Sequence, residues 1–571
     1  MSLWSEDPWN ETFDVVVVGS GAGAMVAALA VHECGGSVLV IERGPVFGGS
    51  SAMSGGGLWI PNNHLMASVG ISDSPEEALE YLRATTQGTV PEERLIAYVE
   101  QAPRMAKFLC ERTRVELLPL PEYPDYYPDL PGAKPGGRSL ECAPFDGRLL
   151  GDELLLMREC AQQELIGGRI CMTIKEARDL FCKGPGWVRL TAKLMAGYWL
   201  DLPWRLRSSR DRRLAMGNAL VGRLRRSLMD RGIPLWLSTR AHHLVYKRGR
   251  VVGVAAEREG GMVRLRTERG VILAAGGFES NQSMRRRYLP NPTDARWTCA
   301  NPYNTGDAIE MGLNVGAALD LMDEAWWGPT TVVPGELRAR MLVIEKSLPG
   351  SILVNKRGER FVNEAMPYVD VVKRMYEVHS PESPCVPAYL IFDATFRRKY
   401  PCGPMAIPGA QQPDWALPRT IRQEYLKKAD TLEGLAELMG IDPAGLRATV
   451  TKFNEYARTG KDLDFGRGES IFDRYYGDPN VRPNPTLAPI EKPPFYAIEA
   501  FPGDLGTKGG LRTDQWARVL NEQGQPIPGL YAAGNCSASV MGRTYPGPGA
   551  TLGPATTFGY VAGRHAMGVT D

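Results

Sequence analysis

Long hydrophobic runs are missing from this sequence. No stretch of about 18 apolar residues occurs, so no helix is expected to span a bilayer. Charge of one sign is missing too. The 66 Lys and Arg nearly balance 65 Asp and Glu, leaving a formal net charge of +1. That balance gives no field to draw in nucleic acid or an acidic partner. The ten cysteines form no Cys-x-x-Cys, and no Cys/His spacing suits a metal, so no metal is expected. With no secretory leader either, reduced thiols in a cytoplasm are expected. Histidine is scarce, with six residues, and none falls within the motifs described below.

What is present is a globular composition, 43% hydrophobic and 23% charged, enough for a sizeable core. A length of 571 residues favours two or three domains over one.

Residues 13–18 (FDVVVV) read as a buried parallel strand. Gly19-Ser20-Gly21-Ala22-Gly23-Ala24 follows, then a stretch of helical character, then a second strand (SVLVI) ending at Glu42. Strand, glycine turn, helix, strand, carboxylate is the dinucleotide-binding unit. Gly19 permits the tight turn and Gly21 lets the backbone approach a pyrophosphate. Ala24 keeps helix and strand close, and the helix N-terminus offers amides to the phosphates. Glu42 is placed to accept from ribose hydroxyls.

Two features select FAD over NAD. After Glu42 and Arg43 comes a Gly/Ser-rich run containing Gly49, Ser50, Ser51, Ser54, Gly55, Gly56 and Gly57. Small side chains and free amides there suit a long flavin. The chain also returns to the same fold at its far end. Pro528 to Gly534-Asn535 reads as a strand entering a glycine turn, and Thr551 and Leu552 lead into a helix aimed at the flavin pyrimidine. A third strand ends in Ala275, Gly276 and Gly277, apt for lying against cofactor. The backbone around Ala241 is a further lining candidate, as are Asn304 and Asp307 at the start of a helix expected to close near Asp323. The expected architecture is α/β: a Rossmann-like FAD-binding domain (1–322 and 507–571) with an inserted α+β cap domain (323–506). Residues 187–213, from Trp187 to Arg213, combine aromatic and basic side chains. They read either as a helix lying on an anionic membrane, placing the protein peripherally on the inner face of the cell membrane, or as a packed amphipathic helix.

The tail Gly529-Leu530-Tyr531-Ala532-Ala533-Gly534-Asn535, with Ser537 to Gly542 and Tyr545-Pro546-Gly547-Pro548-Gly549, resembles the 3-ketosteroid Δ1-dehydrogenase family, within the fumarate reductase/succinate dehydrogenase-like flavoproteins. So do Pro124-Asp125-Tyr126-Tyr127, Asn304 to Asp307, Asn363-Glu364 with Pro367-Tyr368, and Gly506 to Gly510. The resemblance implies removal of two hydrogens from neighbouring carbons of a steroid A ring, beside a 3-ketone. It implies that Tyr545 and the amide of Gly549 hold the ketone oxygen. Tyr368 would be the base, working as tyrosinate with Tyr126 adjoining it, although Tyr127 could take that place. It implies a 3-ketosteroid substrate. With no histidine or cysteine motif for a covalent link, non-covalent FAD is expected, and with no second dinucleotide motif, a quinone-type acceptor rather than NAD. Three rivals stand beside it: dehydrogenation at carbons 4 and 5, a fumarate reductase-like dicarboxylate site, and a flavin-binding protein without turnover. The turn from Asn535 to Pro548 holds one arginine, Arg543, and no histidine, which argues against the dicarboxylate site.

Overall fold

A computed structural model describes residues 8–161, 165–405 and 412–570. Two sheets organise it. The first has eight strands, with Leu235–Trp236, Val38–Ile41, Glu11–Val18, Gly261–Leu273, Arg250–Arg258 and Thr239–Lys247 in that order. The strand Gly261–Leu273 forks. Its first half pairs antiparallel with Arg250–Arg258, and its last three residues pair parallel with Leu530 to Ala532. Val18, Ile41, Leu273 and Ala532 therefore end in register at one edge. In an open α/β sheet that carboxyl edge is where a ligand binds.

The helix Ala22–Glu33 is buried from Ala22 to Val31 because it is sandwiched between this sheet and the helix Leu552–Ala566. Glycines set the separation of the two helices. A Cβ on Gly23 would lie 2.5 Å from the Ala555 carbonyl oxygen, and one on Gly559 would lie 2.3 Å from that of Gly23. Gly23, between the Gly21 and Ala24 of the N-terminal motif, thus serves a helix–helix contact.

The second sheet has six antiparallel strands: Arg340–Met341, Ala325–Thr331, Phe495–Thr507, Ala388–Asp393 and Ser351–Val354, with Lys427–Ala429 on Phe495–Thr507. The helices Leu432–Met439 and Pro443–Thr459 cover it with their own apolar core, built on Leu435, Leu446, Phe453 and Ile391. Beneath it lies a buried ion cluster. Glu364 accepts from Arg360 at 2.7 Å and Arg467 at 3.0 Å, and Asp462 pairs with Arg360 at 2.8 Å.

The helix opened by Asp307 ends at Leu313, well short of Asp323. Gly316 takes φ +90° and turns the chain, and Leu319–Asp320 becomes a strand paired with Gly510–Leu511. From Trp187 the chain forms helices Trp187–Trp199 and Leu202–Arg205, burying only Leu194 and Tyr198. Among the described residues no helix is long and apolar enough to cross a membrane.

Replacing Gly559 by valine should force the two glycine-spaced helices apart. A destabilisation of about 1–3 kcal/mol is expected, the usual cost of overpacking. A thermal midpoint unchanged by the substitution would show that the helix separation is not set there.

Candidate active site

The carboxyl edge of the first sheet opens into a cavity of about 360 Å³ that extends to Met341, Glu345 and Tyr368. Its wall includes the whole turn from Gly19 to Ala24, Glu42 and Arg43, Gly49 to Ser51, Ser54 to Gly57, and Ala241. Ala275, Gly276, Asn304, Asp307, Gly534, Asn535, Thr551 and Leu552 complete that side. Gly277 is the exception among the expected lining residues. It is absent from the cavity wall, and a Cβ there would lie 2.0 Å from Thr507 Oγ1, so it is a packing glycine.

Local chemistry explains the geometry of this trough. Gly19 holds φ +109°, and a Cβ on it would lie 2.3 Å from the Ala274 carbonyl oxygen. Ser51 Oγ accepts from the Ala22 amide at 3.0 Å, tying the Gly/Ser run to the helix start. Glu42 is buried, accepting from Ser20 Oγ at 2.5 Å and from the Gly44 amide at 2.8 Å. Burial pushes its carboxyl up, against the pull of those bonds. Asp307 sits between Arg43 at 3.1 Å and Arg240 at 3.0 Å. The trough fits a flavin dinucleotide on its own evidence. A Cβ on Gly55 would meet no protein atom within 4 Å, so packing does not demand glycine there, whereas a flat ligand does.

Beyond the trough, three phenols converge. The rings of Tyr126, Tyr368 and Tyr545 lie 5.3 to 5.5 Å apart, centre to centre. The Tyr126 hydroxyl donates to that of Tyr368 at 3.0 Å. Tyr127 turns the other way and donates to Asp370 at 3.3 Å, so Tyr126 is the residue that meets Tyr368. Thr551 Oγ1 donates to the Tyr545 hydroxyl at 3.1 Å, leaving the Tyr545 proton available to another acceptor.

Several segments hold these groups. The Pro546 carbonyl accepts from the Tyr126 amide at 2.9 Å and from the Tyr81 hydroxyl at 2.6 Å. Ser139 Oγ donates to the Pro548 carbonyl at 2.8 Å, and Lys508 Nζ donates to that of Thr544 at 2.7 Å. Gly549 adopts φ +98° with Gly57 so close that a Cβ would lie 2.5 Å from its carbonyl carbon. Tyr368 begins the helix Tyr368–Glu377, and Lys346 Nζ donates to the carbonyls of Glu364 and Met366 in the loop before it. Burial pushes the Tyr368 phenol well above its usual range; the bond from Tyr126 pulls it back only partly.

Sequence reasoning missed Tyr123, Tyr476, Glu345 and Arg178 on the cavity wall. Tyr123 shares a short hydrogen bond with Tyr476, and burial pushes its phenol up to about 12. The tyrosine-dense runs YPDYY and YY at 475–476 were the available signal. Arg543 lies off the cavity wall, paired with Asp323 and Glu324, and no histidine lines the cavity.

The FAD binding domain family matches residues 14–552. A 3-oxosteroid 1-dehydrogenase of Mycobacterium tuberculosis is 43% identical over 97% of this chain and 98% of its own. The one from Mycolicibacterium smegmatis is 42% identical, over 97% of each chain. The crystal structure of 3-ketosteroid Δ1-dehydrogenase from Sterolibacterium denitrificans, in complex with 1,4-androstadiene-3,17-dione, is 50% identical with a TM-score of 0.95, covering 98% of this chain and 100% of that one. The chain belongs to the 3-oxosteroid 1-dehydrogenase family of FAD-binding flavoproteins. Its mixed α/β fold and its FAD cofactor follow from that membership.

Replacing Glu42 by alanine removes the buried carboxylate at the end of the second strand. FAD binding should weaken by about 1–3 kcal/mol, the cost of leaving buried hydroxyls unpaired. The variant should purify partly colourless and regain its yellow colour with added FAD. Full retention of flavin through dialysis would remove Glu42 from the cofactor's partners.

Proposed function

We propose that this protein introduces a double bond between carbons 1 and 2 in the A ring of 3-ketosteroids. The observation that carries the reading is the convergence of Tyr126, Tyr368 and Tyr545 beside Gly549 at the flavin end of the cavity. The relatives' activity, as their names state it, supports the same reading. Bound FAD supplies the acceptor for the hydride that leaves carbon 1, at its N5. Tyr545, whose oxygen already accepts from Thr551, donates its proton to the 3-ketone together with the Gly549 amide. Two donors on that oxygen stabilise the charge that gathers there as the neighbouring carbon loses its proton. Tyr368 takes that proton from carbon 2. Tyr126 donates to the Tyr368 oxygen and stabilises the phenolate. Residues 323–506 act as the cap over the substrate, and residues 1–322 with 507–571 hold the cofactor. The supporting observation is that the cap segment carries its own sheet and core. Dehydrogenation at carbons 4 and 5 is distinguished by the position of the new double bond in the product.

The surface supports a peripheral membrane contact. Val188, Met195, Trp199, Leu200, Leu202 and Leu206 are exposed, Leu206 to 90%. Exposed Arg189, Lys193 and Arg207 lie among them. Phe181, on the adjoining helix Ile174–Phe181, lines the cavity, so the patch neighbours a wall of the substrate space. A sterol-like substrate and a quinone-type acceptor both partition into lipid, which suits the inner face of the cell membrane. Native protein should sediment with anionic vesicles at low salt and leave them at high salt. A Trp199→Ser, Leu206→Ser double variant should stay in the supernatant with turnover intact. Native protein that never sediments would refute the contact.

The phenylalanine variants of the two tyrosines should fail differently. Tyr368→Phe should bind steroid and perturb the flavin spectrum while flavin reduction nearly stops. Tyr545→Phe should lose roughly 2.7–4 kcal/mol of transition-state stabilisation and also bind steroid more weakly. Tyr368 must be deprotonated to act, and burial places its titration above the ordinary phenol range. The reduction rate of the wild type should therefore climb with pH from neutral into the alkaline range. Single-turnover flavin reduction reads all three effects. A Tyr368→Phe variant reducing its flavin at the wild-type rate would sink the assignment of the base.

A further inference from the structure

One wholly buried ammonium makes its contacts around the phenol of Tyr545. Lys508 follows the strand Phe495–Thr507 and is sealed from solvent. Its backbone is fixed on both sides, the amide donating to the Glu324 carbonyl at 3.0 Å and the carbonyl accepting from the Ser539 amide at 3.2 Å. Its ammonium carries three donors, and one of them reaches the Thr544 carbonyl at 2.7 Å. The same nitrogen lies 4.3 Å from the ring centre of Trp326, over a face that attracts cations.

A charge taken out of water destabilises a protein unless its partners offset the loss. Lys508 is poorly offset. Glu324 supports its charge, but that carboxylate is already held by Lys373 at 3.3 Å and Arg543 at 3.1 Å. Asp370 supports it as well, whereas Lys373 and Arg543 oppose it, and burial pushes the ammonium down to about 7. An apolar side chain of similar length would fill the space without that cost. The lysine therefore answers to the two contacts that only a charged donor makes.

Both contacts lead to Tyr545. Thr544 is the residue before it, so the ammonium pins the peptide from which the phenol departs. Trp326 meets the Tyr545 ring edge to face at 5.0 Å, and its indole N–H donates to Asn535 at 3.0 Å. The ties at the Pro546 and Pro548 carbonyls hold the chain after Tyr545, and Lys508 holds the chain before it. Lys508 is itself absent from the cavity wall. We propose that Lys508 is the positioning residue for Tyr545, setting the direction of its phenol through the Thr544 carbonyl and the Trp326 ring. The proposal rests on the reading of Tyr545 as a donor to the 3-ketone. A phenol turned off that oxygen loses its hold on the transition state while the fold survives.

The test compares wild-type holoenzyme with Lys508→Met, Tyr545→Phe and the double variant in single-turnover flavin reduction by a 3-ketosteroid. Lys508→Met should slow reduction at least about tenfold. In the Tyr545→Phe background the same change should cost less than about threefold, because residues that act through one another are not additive. A single-variant slowing below tenfold overturns the proposal, and so does a further loss of threefold or more in the double variant. A second readout needs no turnover. A steroid with a phenolic A ring mimics the enolate, and absorbance follows its ionisation when bound. It should titrate at higher pH in Lys508→Met than in wild type, as in Tyr545→Phe, since donors to the oxygen favour its charged form. An unchanged titration overturns the proposal, because loosened packing alone would leave it so. Should the methionine variant not fold, Lys508→Gln carries both comparisons. A wild type that does not reduce its flavin with the ketosteroid removes the proposed reaction and this inference with it. A wild type that does, beside an equally fast Lys508→Met, removes the inference alone.

Discussion

The hydrogen bond from the Tyr126 hydroxyl to that of Tyr368, 3.0 Å long, is the constraint on which the rest of the site depends. It joins the loop that carries Tyr126 to the first turn of the helix Tyr368–Glu377, 242 residues away in sequence. For the two oxygens to meet, each backbone must be fixed independently. Tyr126 is fixed by its amide on the Pro546 carbonyl, which also sets the loop carrying Tyr545. Tyr368 is fixed by the loop before it, which Lys346 grips at two carbonyls and which Glu364 anchors through Arg360 and Arg467. A buried ion cluster is weak evidence of stability. Here it positions the backbone that presents the phenol.

Burial gives this arrangement its strength and its difficulty. Rings packed face to face and edge to face exclude water, so a donor aimed at a developing oxyanion acts in low dielectric. The same exclusion holds the Tyr368 phenol protonated far above neutral pH. The protein offsets this with the donor from Tyr126 and with the position of Tyr368 at a helix N-terminus, where the macrodipole favours an anion. In the proposed reaction the remaining push comes from the acidity that the two donors confer on the carbon beside the ketone.

The parts legible in the sequence are those whose cause is local. A valine run, a glycine turn and a carboxylate at the end of the next strand declare the dinucleotide unit, because one loop and one helix enforce it. The Gly/Ser run from Gly49 to Gly57 lines the cavity as a local stretch of chain, and at Gly55 no distant neighbour lies within 4 Å of where a Cβ would stand. What failed to show depends on contacts far along the chain. Gly277 looks like a lining residue until Thr507, 230 positions on, is found against it. Gly23 serves a helix more than 500 residues away. Tyr126 and Tyr127 are alike in sequence, and only the fold sends one to Tyr368 and the other to Asp370.

A trans elimination needs its base and its hydride acceptor on opposite faces of one ring. In the proposed reaction this fold meets that need with two bodies, the base on the cap and the cofactor on the carboxyl edge of the first sheet. Such a division makes the reaction sensitive to how firmly the bodies are joined, because an error of about 1 Å in approach can cost about a hundredfold in rate. Two kinds of link cross the division: the phenol pair, and the continuous strand Phe495–Thr507 that leads straight to Lys508, which donates to the Thr544 carbonyl next to Tyr545. One is hydrogen-bonded and the other covalent, so both are present in the protein alone.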